Sequence, residues 1–177
     1  MKRYRFPMRV FITFSALLVG LAVPAAAQEP ADGPQRIFRD AFIDNLIGEW
    51  RLVRQIRGRD VENAVSADWV LNHQFLRIHM KDVAEPPTYE ALVYIGYQHA
   101  DQRYMVHWLD VYGGKFSGIG YGKRVGDSIP FVFQYDDGPF YNSFKWDART
   151  ESWTFTMESV GKDGKRELFA VDTLRRN

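Results

Sequence analysis

Two periods divide the chain. In RIFRDAFIDNLIGEW, residues 36–50, Ile37, Phe38, Phe42, Leu46 and Ile47 recur near helical spacing and stop at a glycine. That spacing predicts one short helix which must bury its apolar side. From Gly48 onward the period is two. Segments rich in β-branched and aromatic residues succeed one another, separated by RGRD, LNH, EPP, HADQ, YGGK, VGD, DDGP, DART and KDGK, which predicts about ten strands. Asp163-Gly164 tolerates the positive φ of a tight hairpin. Short connections force neighbouring strands to run antiparallel. A sheet that closes on itself leaves no unpaired edge, so the expected fold is all-β, a closed up-and-down antiparallel barrel with a short N-terminal helix. A two-sheet sandwich is the alternative.

Alternation assigns faces. SWTFTMES puts Trp153, Phe155 and Met157 together, against Ser152, Thr154, Thr156 and Glu158. PFYNSFKWD gathers Phe140, Asn142, Phe144 and Trp146, which makes Asn142 a polar group on an aromatic inner wall. If buried it needs a partner, either a neighbouring backbone group or a ligand. QFLRIHMKD separates Leu76, Ile78 and Met80 from Arg77, His79 and Lys81. YMVHWLDV is ambiguous, because Met105, His107, Leu109 and Val111 alternate with the equally apolar Tyr104, Val106 and Trp108. His107 is the one histidine whose same-face neighbours are all apolar, and it is expected to line the interior. A core imidazole bonded to a backbone carbonyl is the simpler role for it, and an inward Trp108 is the third possibility.

The first residues read as an export signal: basic MKRYRFPMR, apolar VFITFSALLVGLAV, then PAAAQ with cleavage after Ala27. The expected organisation is a signal peptide over 1–27, a polar spacer over 28–35 and one barrel domain over 36–177, which the helix opens. A periplasmic or extracellular location is the consequence. Val10 to Val23 is shorter than the roughly 20 residues a membrane span requires, so no stable membrane anchor is expected after cleavage. Removing Lys2, Arg3, Arg5 and Arg9 with no acid changes the formal charge from +1 to −3. Arg and Lys are scattered among acids, which argues against a nucleic-acid partner. Oligomeric state has no signature.

Candidate chemistry is sparse. The chain has no cysteine, which excludes disulfides, a thiolate nucleophile and zinc–thiolate sites. It contains no phosphate loop, no GxSxG elbow and no HExxH pair, so no catalytic residue can be assigned, and no metal or cofactor is expected. The glycines of YGGKFSGIGYG read as a turn plus a strand that permits close approach. Asp136 and Asp137 have turn composition. Candidate ligand-binding residues are His107, Phe131, Phe133, Tyr135, Asn142, Phe144, Trp153 and Phe155.

LIGEW resembles the Gly-x-Trp signature of lipocalin-like barrels in the calycin superfamily. DWVLNHQFLRI and YIGYQHADQRYMVHWLDVYGG are similar to stretches of a family of secreted bacterial lipocalin-like domains of unknown function. Members show Trp-x-Leu-Gly-Gly-x-Phe-Leu, and Ile-Gly-Tyr-Asp followed by Trp-x-Asp. Gly48 and Trp50 match the first motif, Trp69, Leu71, Phe75 and Leu76 the second, and Ile95, Gly96, Tyr97, Trp108 and Asp110 the third. Asn72-His73 stands where the family has Gly-Gly, and Gln98 where it often has aspartate. The resemblance implies a barrel whose floor is closed by Trp50 beneath the incoming helix. It implies no reaction. A barrel of this kind holding a small hydrophobic or amphipathic molecule is the leading expectation. The alternatives are a haem-binding, nitrobindin-like barrel, whose iron ligand would be a histidine close to the C-terminus, and an enzyme with a Tyr/His/Asp site in the cavity. No histidine comes after His107, which counts against the haem reading.

Overall fold

The computed structural model describes residues 37–56 and 58–177. The proposed signal peptide and spacer lie outside the described residues. Ten strands form: β1 Gly48–Ile56, β2 Arg59–Val70, β3 Phe75–Asp82, β4 Glu90–Gln98, β5 Arg103–Asp110, β6 Ile119–Gly122, β7 Ser128–Tyr135, β8 Gly138–Asp147, β9 Ser152–Val160 and β10 Arg166–Arg176. All neighbours are antiparallel, and β10 returns to β1 to close the barrel, from Trp50↔Arg176 to Ile56↔Ala170. The up-and-down barrel is therefore the fold, and the sandwich is excluded.

The anticipated helix is shorter than its apolar spacing suggested. Only Ala41–Asp44, α1, is α-helical. Asp40 caps it by accepting from the Phe42 amide at 2.8 Å, so residues 37–40 stay outside the helix. Beyond Asp44 the chain tightens into i→i+3 bonds, Leu46 N to Ile43 O at 2.9 Å and Ile47 N to Asp44 O at 3.1 Å. That winding carries Phe38, Phe42, Ile43 and Leu46 into the core and leaves Ile37 and Ile47 39% and 37% exposed. The latter two were expected to be buried.

Strand turns alternate between the barrel's ends, as they must in an up-and-down meander. The end holding the β2–β3, β4–β5, β6–β7 and β8–β9 turns is closed by α1 and its flanks. Trp50 Nε1 donates to the Leu46 carbonyl at 2.7 Å, Phe42 meets Trp153 edge-on at 5.1 Å, and Phe38 stacks on Tyr97 at 5.4 Å. Gly48, at φ +118°, turns the chain from this plug into β1, and an added Cβ would lie 2.5 Å from Arg176 Nη1. The β2–β3 turn reaches the left-handed region at three successive non-glycine residues, Leu71, Asn72 and His73. Asn72 and His73 thus adopt backbone that a glycine pair would reach without strain. His73 Nδ1 contacts the Phe38 carbonyl at 2.7 Å and its ring stacks on Trp69, tying the turn to the plug.

Inward faces obey the alternation in β3, β8 and β9: Leu76, Ile78 and Met80; Asn142 and Phe144; Trp153, Phe155 and Met157 are all buried. At β10 a bulge between Leu168 and Ala170 displaces Phe169, which rests edge-on against Phe140.

Candidate functional site: the barrel interior away from the plug

The interior is apolar near the plug and polar towards the other end. Phe131, Phe144, Phe155 and Trp153 interlock. Phe144 and Phe155 stack at 3.8 Å, Phe131 meets Phe144 edge-on at 5.1 Å, and Trp153 lies 6.3 Å from Phe155. These four expected wall residues are fully buried and form one packed cluster. Phe133 and the half-buried Tyr135 continue the β7 face away from the plug, their rings parallel at 6.1 Å. They lie against β6, where a Cβ added to Gly120 would meet the Phe133 ring at 2.9 Å. The glycine-rich stretch therefore makes room for aromatic rings, as a strand with missing side chains can.

His107 does not share this interior. On β4, Ala91, Val93 and Ile95 are buried, and the register pairs Val93 with Trp108 and Ile95 with Val106. The inward set on β5 is therefore Tyr104, Val106 and Trp108, and His107 lies on the outer face with Nε2 3.2 Å from Ser117 Oγ. The expectation that it lines the interior is corrected. Successive strand residues cannot face the same way, and the cross-strand partners choose the phase where both faces are apolar.

Polar inward groups cluster in the half away from the plug. Arg54 and Asp172 form a bidentate pair, Nε to Oδ1 and Nη2 to Oδ2, both at 2.7 Å. Burial opposes charge on both partners. The Asp172 bonds nevertheless hold Arg54 above its ordinary value, while burial pushes the Asp172 carboxyl up and Arg54 pulls it back. Arg54 also lies over the Tyr89 ring at 4.9 Å, and Trp108 Nε1 donates to the Tyr89 hydroxyl at 3.2 Å. Burial raises the Tyr89 phenol, with Arg54 acting against it. Next to this group Asn63 Nδ2 donates to Asp82 Oδ1 at 2.7 Å. Asp82 Oδ2 accepts from the Thr88 amide, the Thr88 hydroxyl and the Tyr89 amide at 3.0, 2.6 and 2.9 Å. Burial alone would raise the Asp82 carboxyl, but these bonds together keep it below its ordinary value and so ionised.

Asn142 differs from all of these. It is 2% exposed on the inner face of β8, between Phe131 and Met157 in register, and its Oδ1 has no hydrogen-bond partner among the described residues. The expected bond to a neighbouring backbone group is not made. Asn63 Oδ1 is likewise buried without a partner.

Elsewhere the chemistry is thinner. Among the described residues, the histidine–carboxylate pair His79–Glu90, 2.6 Å apart, stands on the outer wall with both side chains more than a third exposed, away from the interior. His73 and His99 sit in turns, so none of the four histidines occupies an inward strand position and the interior supplies no imidazole to a haem iron. No group of three metal-ligating side chains converges among the described residues. An open groove of about 490 Å³ lies outside the barrel beside the β10 bulge, lined by Gln55, Arg59, Asp60, Leu168, Phe169 and Val171.

Sequence patterns alone reached Asn142 and the β7–β9 aromatics. They missed Arg54, Asn63, Asp82, Tyr89 and Asp172. Arg54 and Asp172 carried a usable signal, since each sits at an inward phase within its strand: Trp50, Leu52, Arg54 and Asp172, Leu174.

No protein-family model matches the chain, and no curated protein matches it. Among solved structures, that of Rv2717c from M. tuberculosis is similar, with a TM-score of 0.53 and 14% identity over 76% of this chain and 94% of that one. At that identity the likeness is one of fold. What is shown is a closed ten-strand antiparallel barrel, and no family match stands behind the lipocalin-like resemblance of the sequence.

Proposed function

We propose that this chain is an exported binding protein, periplasmic or extracellular, that takes a small hydrophobic or amphipathic molecule into the half of its barrel away from the plug. The observation that carries the reading is Asn142, a carboxamide held on an aromatic inner wall with its oxygen buried and unpartnered. Buried polar groups without partners are uncommon in native proteins, and a ligand site is one of the few settings that account for one. Phe133, Tyr135 and Phe140 continue the apolar inner wall on β7 and β8, and Trp108 stands on the inner face of β5. Phe131, Phe144, Phe155 and Trp153 back that wall as a packed layer, and His107 is no longer among its residues. The N-terminal basic and apolar segments support export. The acid-rich remainder of the chain speaks against nucleic acid as a partner.

The test is to purify the protein from its native compartment and identify what accompanies it by mass spectrometry, alongside titration with N-phenyl-1-naphthylamine, whose fluorescence rises in apolar surroundings. A stoichiometric small molecule, or saturable dye binding, is the expected result. A protein that carries nothing and leaves the dye unchanged is a filled scaffold, and the proposal fails.

A further inference from the structure

The inward charges decide what kind of head group this interior can accept. On the strands, the charged side chains at inward positions that are buried or half-buried are Arg54, Asp82, Asp110 and Asp172. The one cation in that set, Arg54, already donates through Nε and Nη2 to Asp172. Asp82 is satisfied by Asn63, Thr88 and Tyr89, and Asp110 Oδ1 accepts from the Tyr112 amide; neither carboxylate makes an ion pair with a cation among the described residues. An incoming anion would find the one cation already paired and would face carboxyl groups that have no cation of their own. Asn142, in contrast, presents an acceptor oxygen and an NH2 donor on one planar group, and the oxygen has no hydrogen-bond partner among the described residues. The complement of a carboxamide is another adjacent donor and acceptor on a flat, uncharged group. Its register neighbours are the apolar Phe131 and Met157, and Phe133 and Phe140 stand further along the same faces with their rings 6.4 Å apart.

We propose that Asn142 is the head-group receptor of the barrel, and that the molecule it takes is an uncharged aromatic carboxamide or a compound with the same donor–acceptor edge, in preference to the carboxylate of the same shape. This rests on the binding role proposed above and specifies its chemistry. Asn142 pairs with the head group, the β7–β8 aromatics receive the ring, and the Asp82 and Asp110 carboxylates reject anions.

Two compounds of one shape test it: 2-naphthamide and 2-naphthoate, each used at pH 7 to displace N-phenyl-1-naphthylamine from the whole protein. The amide is expected to displace the dye at a concentration at least tenfold lower than the acid. In Asn142→Leu, which keeps the side-chain size and removes both polar atoms, the ratio of acid to amide displacement concentrations should fall most of the way from tenfold to one, whatever the variant's own affinity for the dye. Circular dichroism verifies that the variant is folded. If it is not, Asn142→Thr takes its place, and the amide–acid comparison on the unaltered protein stands without either. Equal displacement by the two compounds, as when Asn142 holds only a water, overturns the proposal. So does stronger displacement by naphthoate, or a preference that survives in a folded Asn142 variant. Dye binding without amide preference defeats this assignment alone, whereas a protein that binds no dye defeats the binding role beneath it and this assignment with it.

Discussion

The guanidinium of Arg176 lies 3.9 Å from the centre of the Trp50 ring, and its Nη1 donates to the Ile47 carbonyl at 2.5 Å. The last strand thus covers the tryptophan from outside the plug and bonds the backbone just before β1. Trp50→Ala removes a fully buried aromatic and is expected to cost about 3–5 kcal/mol in urea unfolding. Arg176→Ala, at an exposed position, should cost about 1 kcal/mol. The Arg176 effect should shrink when Trp50 is already leucine. Full additivity in that double-mutant cycle would mean that the ring contact contributes nothing.

The Arg54–Asp172 pair makes a sharper stability prediction. Asp172→Asn or Arg54→Met alone leaves a buried group without its counter-charge, and either should destabilise by about 3–5 kcal/mol. Arg54→Met combined with Asp172→Leu should recover most of that loss, because no unpaired charge remains. Denaturant midpoints of the three variants decide it, and a double variant as unstable as the singles combined would refute the account.

Acid should act through Asp82. Its folded value lies below that of the unfolded chain, which is about 3.9 for an ordinary aspartate. The stability it contributes is therefore complete above the unfolded value and disappears as pH falls through the lower, folded one. The stability difference between the natural protein and Asp82→Asn should be largest near neutrality and shrink towards pH 3, measured by urea unfolding at each pH. A difference independent of pH would show that Asp82 matters only through its shape.

His107→Phe is expected to leave dye binding unchanged and stability within about 0.5 kcal/mol, since the residue stands on the outer wall. Trp108→Ala, one position along, should alter both. The reverse result would place the β5 phase the other way round.

These variants also mark what a single sequence discloses. β3, β8 and β9 were legible because one face of each is apolar and the other polar, so period two alone fixes the inward set. β5 was not, because Met105, His107 and Leu109 are as apolar a set as Tyr104, Val106 and Trp108. Its phase comes from pairing with β4, a relation between strands that no window along one strand contains. The helix was overestimated for a related reason: Ile37 and Ile47 fall on the helical period, but Asp40 caps the helix late and the i→i+3 turns after Asp44 redirect Leu46 and Ile47. The site was least legible where it depends on distance in sequence. Arg54 and Asp172 stand 118 positions apart, and nothing near either one announces the other.

The seam between β1 and β10 has a kinetic meaning. Every other strand pair joins segments adjacent in the chain and can form as a local hairpin, whereas this one must bring together residues separated by nearly the whole barrel. Closing so long a loop is slow, and the sheet keeps two bare edges until it happens. The open-edged intermediate should therefore be the species most prone to association, and Arg54, which gains its counter-ion only when β10 arrives, stays hydrated until then. Refolding at rising protein concentration should lose yield at this step, and destabilising the seam should worsen the loss more than an equal destabilisation inside any hairpin.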